Sequence, residues 1–253
     1  MLFLLHGLGI NSNSWQLQLP DFARAGYRVV APDIPGFGQS SNARFTDFQR
    51  MASTMADLLT SLNLASVITI GISMGGILAL QLVLDYPHLI SRQVLVNTTA
   101  KFDLGNPLLW PYYLSRVILI QSRGLEEQAE VVADRIFPRL KDRSYRQFTI
   151  DMIMEADLDS YRTAMRAISR FNVLQRLYEI NCPTLVVTGS NDNTIPPKNQ
   201  VTLVRGISNA VHTLIPDAGH AVCIDQPSIF NCTVLEFLNG QHHHNSLILQ
   251  EPL

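Results

Sequence analysis

Apolar positions along this chain follow two rhythms. Short uninterrupted runs rich in branched residues predict buried strands over residues 1–5, 27–31, 67–70, 93–98, 183–189 and 211–215. Between them, apolar residues recur at helical spacing. Trp15, Leu19 and Phe22 share one face of a loop-and-helix segment over 11–24, which Gly26 ends. Phe48, Met51, Met55, Leu58, Leu59 and Leu62 form the stripe of an amphipathic helix over 45–62, with the methionines as core filler. Residues 76–86 are apolar nearly all round and stop at Pro87, which suits a buried helix. Strand and helix alternate through the first hundred residues. That order predicts an α/β fold: a mostly parallel sheet with helices on both faces. In such folds the functional site lies outside the carboxyl ends of the strands.

The rhythm changes over residues 101–177. Strand signals vanish, and helices are predicted at 107–121, 125–137, 144–156 and 160–170. The segment reads as a helical cap inserted into a core made of 1–100 and 178–240, with 241–253 as a tail. Twelve of the nineteen lysines and arginines lie in the cap. Arg135, Arg139, Arg143, Arg146, Arg162 and Arg166 read as solvated, or as including one or two that face a pocket and bind a carboxylate. Strands return at 183–189 and 211–215, and a last helix covers 228–238.

Composition narrows the function classes. Of 253 residues, 47% are apolar and 16% charged, enough for a large core and too few charges for disorder. A net charge of −2 gives no basic surface for nucleic acid or an anionic membrane. Residues 1–5 are too short for a signal peptide or a membrane span. Cys182, Cys223 and Cys232 form no disulfide framework and lack metal spacing, so a reduced, cytoplasmic setting is expected. His242, His243 and His244 read as part of a polar tail, and no metal or cofactor is expected.

The chemistry concentrates at Gly71-Ile72-Ser73-Met74-Gly75. This G-x-S-x-G sequence joins a strand to a helix by a tight, strained turn that lifts the serine hydroxyl above the sheet end. The 1–5 strand runs into His6-Gly7-Leu8-Gly9, a loop able to aim a backbone N–H at the same point. The amides of Leu8 and Met74 are the candidate oxyanion donors. Asp192 follows the 183–189 strand and His220 follows the 211–215 strand. Ser73, Asp192 and His220 thus appear in the order nucleophile, acid, base, each at a strand end. A serine hydroxyl needs an imidazole to take its proton, and the imidazole needs a carboxylate to hold its tautomer. Asp33, in a rigid Pro/Gly loop, reads as a turn-holding residue.

These segments resemble the α/β-hydrolase superfamily over residues 1–238. The landmarks are H-G-L-G, D-I-P-G-F-G-Q-S, G-I-S-M-G-G, G-S-N-D-N-T-I-P-P and A-G-H, in order. L-V-N-T-T-A-K, R-I-F-P and Y-R-T-A-M-R-A-I-S-R-F-N are similar to the 3-oxoadipate enol-lactonase and non-metal haloperoxidase branch. The resemblance implies a cofactor-free hydrolase of a small carboxylic ester or lactone. C–C bond hydrolysis, lyase or perhydrolase chemistry, or a slow-turnover receptor on the same triad, are the alternatives. Family members usually carry a two-strand hairpin before the H-G strand, and the first two strands are absent here. The 27–31 strand is therefore expected as an open sheet edge, through which the chain could oligomerise.

Overall fold

The computed structural model describes residues 1–40, 45–102, 110–138 and 143–241. In chain order it contains β1 (Leu2–Leu5), α1 (Leu19–Arg24), β2 (Val29–Val30), α2 (Phe48–Ser61), β3 (Val67–Ile72), α3 (Met74–Asp85), β4 (Ile90–Val96), α4 (Trp110–Ser122), α5 (Leu125–Ile136), α6 (Arg143–Met154), α7 (Leu158–Arg170), β5 (Thr184–Gly189), α8 (Pro197–Gly206), β6 (Ala210–Ile215), α9 (Val222–Asp225) and α10 (Pro227–Leu238).

The six strands form one sheet in the order β2-β1-β3-β4-β5-β6, parallel at every pairing. Period-two alternation along the strands divides the core. Phe3 and Leu5 of β1 join one apolar cluster with Met51, Met55 and Leu59 of α2 and Ile77 and Leu80 of α3. Leu2 and Leu4 point the other way and pack with Trp15, Phe22, Phe230 and Val234. A strand covered on both faces has no polar face, which is why β1 is a continuous apolar run.

Several elements differ from the sequence expectation, each for a local reason. The 11–24 segment divides into a 3₁₀ turn at Ser12–Trp15 and α1, because Pro20 sits in the first turn of α1 and cannot continue a preceding helix. The 27–31 strand shrinks to the two residues of β2, which pairs with β1 alone among the described residues. It stands at one end of the strand order, as an edge strand. Helix α8 was not expected. Its buried positions are only Gln200 and Leu203, too few to set an apolar period. The elbow helix starts at Met74, two residues earlier than its apolar run suggests. Helices α4 to α7 fill the chain between β4 and β5. The predicted start of α4 at 107, Arg139, and the 242–253 part of the tail lie outside the described residues.

Candidate active site

Strand β3 ends and α3 begins at Ser73, whose backbone has φ 54° and ψ −116°. Positive φ in a non-glycine residue costs about 1–3 kcal/mol and persists only where surroundings hold it. Here the Ser73 N–H donates to the Val96 carbonyl at 2.9 Å, and the Ser73 carbonyl accepts from the Thr98 hydroxyl at 2.8 Å. The strain is held by β4, the neighbouring strand.

Asp192 and His220 come together across two loops. His220 Nδ1 lies 2.8 Å from Asp192 Oδ2, and both side chains are buried. The other carboxylate oxygen accepts the N–H groups of Thr194 at 2.8 Å and Ile195 at 3.0 Å. Those bonds fix the carboxylate plane and leave Oδ2 for the imidazole. Ser73 and His220 line the same cavity.

Asn97 is a residue that motif reading missed. It follows β4 with φ 42° and is fully buried. Its amide nitrogen donates to the carbonyls of Gly219 at 3.0 Å and His220 at 2.8 Å, and its oxygen accepts Gly189 N–H at 2.9 Å. One side chain therefore ties the ends of β4 and β5 to the histidine loop. Asn97→Ala is expected to lower unfolding free energy by about 2–4 kcal/mol, since it leaves buried backbone groups unpaired and strains a left-handed position. Urea unfolding reads the change.

His6 is buried at the end of β1. Its Nε2 accepts the Ile34 N–H at 2.9 Å, so the proton sits on Nδ1 and donates to the Gly7 carbonyl at 2.8 Å. The ring thus pins the Gly7-Leu8 loop to the Asp33-Ile34 turn. Burial lowers its pKa from 6.5 to about 4, against the opposing pull of the Gly7 carbonyl and Asp33. The folded pKa is depressed, so this stabilisation is complete above about pH 6.5 and is lost as pH falls through about 4. A shift of that size is worth about 3 kcal/mol. The urea midpoint of the wild type should fall across that window, and the midpoint of His6→Gln should change less there.

Asp33 does hold the turn. Its carboxylate accepts Ser12 N–H at 2.7 Å and Gln39 N–H at 2.8 Å.

Two small cavities meet at Ser73. One, of about 90 Å³, reaches His220 and is walled by Ile72, Val132, Phe137 and Met152. The other, of about 80 Å³, reaches Met74, Ile77, Phe102 and Ile168. Leu8, Ser73, Tyr112, Arg116 and Thr194 line both. Of the six arginines singled out in the sequence, none lines either cavity among the described residues. Arg146 pairs with Glu130 and Asp134, and Arg162 bonds the Ile120 carbonyl. Arg135 stacks on the Tyr112 ring at 3.9 Å and donates to the Asn193 carbonyl. The arginine that lines both cavities at Ser73 is Arg116, while Arg135 lines a separate cavity of about 140 Å³ that also reaches His220. The signal of Arg116 was present: Tyr112 and Arg116 are four apart on one helix face. Among the described residues no cluster of three or more His, Cys, Asp or Glu could hold a metal, and no helix is long and apolar enough to cross a membrane.

Residues 1–227 match the family described as alpha/beta hydrolase fold. The chain belongs to that family. It is an α/β-hydrolase, and relatives support the branch suggested by its motifs. A 3-oxoadipate enol-lactonase of Acinetobacter baylyi is 28% identical over 230 residues, covering 89% of this chain and 83% of that protein. A 2-hydroxy-6-oxo-6-phenylhexa-2,4-dienoate hydrolase of Burkholderia cepacia is 28% identical over 255 residues, covering 94% and 88%. The crystal structure of the enol-lactonase from Burkholderia xenovorans LB400 shares the fold, with a TM-score of 0.86 at 23% identity over 94% of this chain and 90% of that one. For this α/β-hydrolase, a small-molecule substrate follows from the family.

Proposed function

We propose that the chain is a serine hydrolase of small carboxylic esters or lactones, working through an acyl-enzyme on Ser73. One observation carries this reading: a serine on a strained strand–helix turn shares its cavity with a histidine whose Nδ1 is held 2.8 Å from a buried carboxylate. His220 Nε2 takes the Ser73 proton as Oγ attacks the carbonyl carbon. Asp192 keeps the ring in the tautomer that leaves Nε2 free and stabilises the imidazolium. The N–H groups of Leu8 and Met74 receive the oxyanion. His220 then gives the proton to the leaving alkoxide, the C–O bond breaks, and the acyl group stays on Ser73. Water, deprotonated by His220, releases the acid. A lactone follows the same steps, with the leaving alcohol still attached to the acyl chain.

No metal or cofactor has a part in this scheme. Residues 101–177 act as the cap, with the substrate held between α4–α7 and the sheet end. Free Cys182, Cys223 and Cys232 support a reducing, cytoplasmic setting. The test is labelling with a fluorophosphonate probe, followed by turnover of p-nitrophenyl acetate and a small lactone panel. Labelling at Ser73 with steady turnover is the expected result. A folded protein that neither labels nor turns over these substrates would overturn the reading, and labelling with only a single turnover would point to a receptor.

A further inference from the structure

We propose that Arg116 is a subsite for an anionic group, so that the preferred substrate is a short ester or lactone carrying a free carboxylate. The proposal rests on the hydrolase reading and adds the charge of the substrate to it.

Arg116 is half-buried on α4 and lines both cavities that meet at Ser73. Its protein partners are neutral. Nη2 donates to the Tyr161 hydroxyl at 2.5 Å. The Gln128 amide, turned so that its oxygen faces the guanidinium, accepts from Nε at 2.7 Å and Nη2 at 3.0 Å. The Tyr112 ring lies under the guanidinium carbon at 5.5 Å. These contacts orient the fork without neutralising it.

Arg135, which lines neither cavity at Ser73, also has neutral partners, the Tyr112 ring and the Asn193 carbonyl, but four other arginines of the segment are paired with acids. Arg123 pairs with Glu127, Arg146 with Glu130 and Asp134, Arg162 with Asp159, and Arg176 with Asp85 and Glu179. Among the described residues no carboxylate pairs with Arg116, and Nη1 has no hydrogen-bond partner. Arginine stays protonated at any ordinary pH. A cation partly withdrawn from water costs free energy unless an anion accompanies it, and the place left for that anion is the cavity holding Ser73.

The anion is a carboxylate on charge grounds. Among the described residues lining the two cavities, Arg116 is the only lysine or arginine. One guanidinium with one open edge balances a monoanion, whereas a phosphate dianion would leave excess charge in apolar walls. Arg116 and Ser73 line both cavities, so one bound molecule can set its carboxylate on the guanidinium and its scissile carbonyl at the serine.

The test compares kcat/KM for mono-p-nitrophenyl glutarate with that for p-nitrophenyl hexanoate, an uncharged ester of similar length. The wild type should favour the glutarate ester. In Arg116→Gln that preference should fall about tenfold to hundredfold, the range for losing a charged hydrogen bond. Arg116→Lys should recover part of it. Glutarate should inhibit hexanoate ester hydrolysis competitively in the wild type, and more weakly in Arg116→Gln. A brace that only supports the fold would lower both esters together and leave their ratio unchanged. That unchanged ratio, or a wild type that prefers the neutral ester, overturns the proposal while the hydrolase reading stands. If neither ester is turned over, calorimetric binding of glutarate still decides: binding weakened in both Arg116 variants supports the subsite, and equal or no binding overturns it.

Discussion

Ser73→Ala is expected to lower kcat for ester hydrolysis by about 10⁴- to 10⁶-fold, the range seen when a triad nucleophile is removed. Its fold should survive. Alanine is smaller than serine, and the contacts that hold the turn are made by backbone: Ser73 N–H to Val96, and the Ser73 carbonyl to Thr98, Gly76 and Ile77. Circular dichroism and the urea midpoint should therefore stay close to wild type while fluorophosphonate labelling disappears. The comparison separates chemistry from stability because the hydroxyl is the only group removed. A folded Ser73→Ala protein with a large fraction of wild-type activity would mean that another group attacks the substrate, and the acyl-enzyme scheme would fall. Residual activity of a few parts in 10⁵ would not, since oxyanion donors and binding accelerate attack by water without a nucleophile.

The sheet and the candidate residues were legible because they depend on patterns local in sequence. Leu2–Leu5 and Val67–Ile72 declare themselves as strands by being apolar on both faces. Gly71, Ser73 and Gly75 declare the turn because few other residues tolerate it. What stayed hidden was cooperative or weakly patterned. Asn97 looks like an ordinary strand-end residue, and its value comes from groups about 90 and 120 positions away that only the folded sheet brings near. Arg116 could not be told from the other arginines of residues 101–177 by composition. What distinguishes it is that, among the described arginines, it alone lines both cavities at Ser73, which is a property of packing. Helix α8 was missed because it hides so little apolar surface, and β2 was overestimated because strand propensity at Tyr27-Arg28-Val29-Val30-Ala31 says nothing about how many neighbours the strand will have.

Gly75→Ala should be the most damaging single-methyl change in the molecule. A Cβ built on Gly75 would sit 2.0 Å from the Leu5 carbonyl oxygen, 2.5 Å from its carbon and 2.7 Å from the His6 oxygen. All three are backbone atoms, so no side chain can rotate away. One partner must move by more than 1 Å. Strand β1 cannot do so cheaply, because it is paired to β2 on one side and β3 on the other and its four side chains are fully buried. If α3 moves instead, Ser73 moves with it. If β1 moves, it carries the His6-Gly7-Leu8 loop that we assign to the oxyanion. The expected cost is at least about 3 kcal/mol, the upper range for overpacking a core, with ester hydrolysis reduced by at least about a hundredfold from misplacement alone. Gly26→Ala is the matched control. It has a positive φ of 85° but nothing within 4 Å of the added methyl, so it should cost only about 1–2 kcal/mol of backbone strain. Urea midpoints for the two variants, with kcat on p-nitrophenyl acetate, give the ranking. Equal midpoints would mean that the strand–helix contact at Gly75 is looser than these distances imply. The elbow would then owe its shape to the Ser73 backbone bonds with β4 and not to close packing against β1.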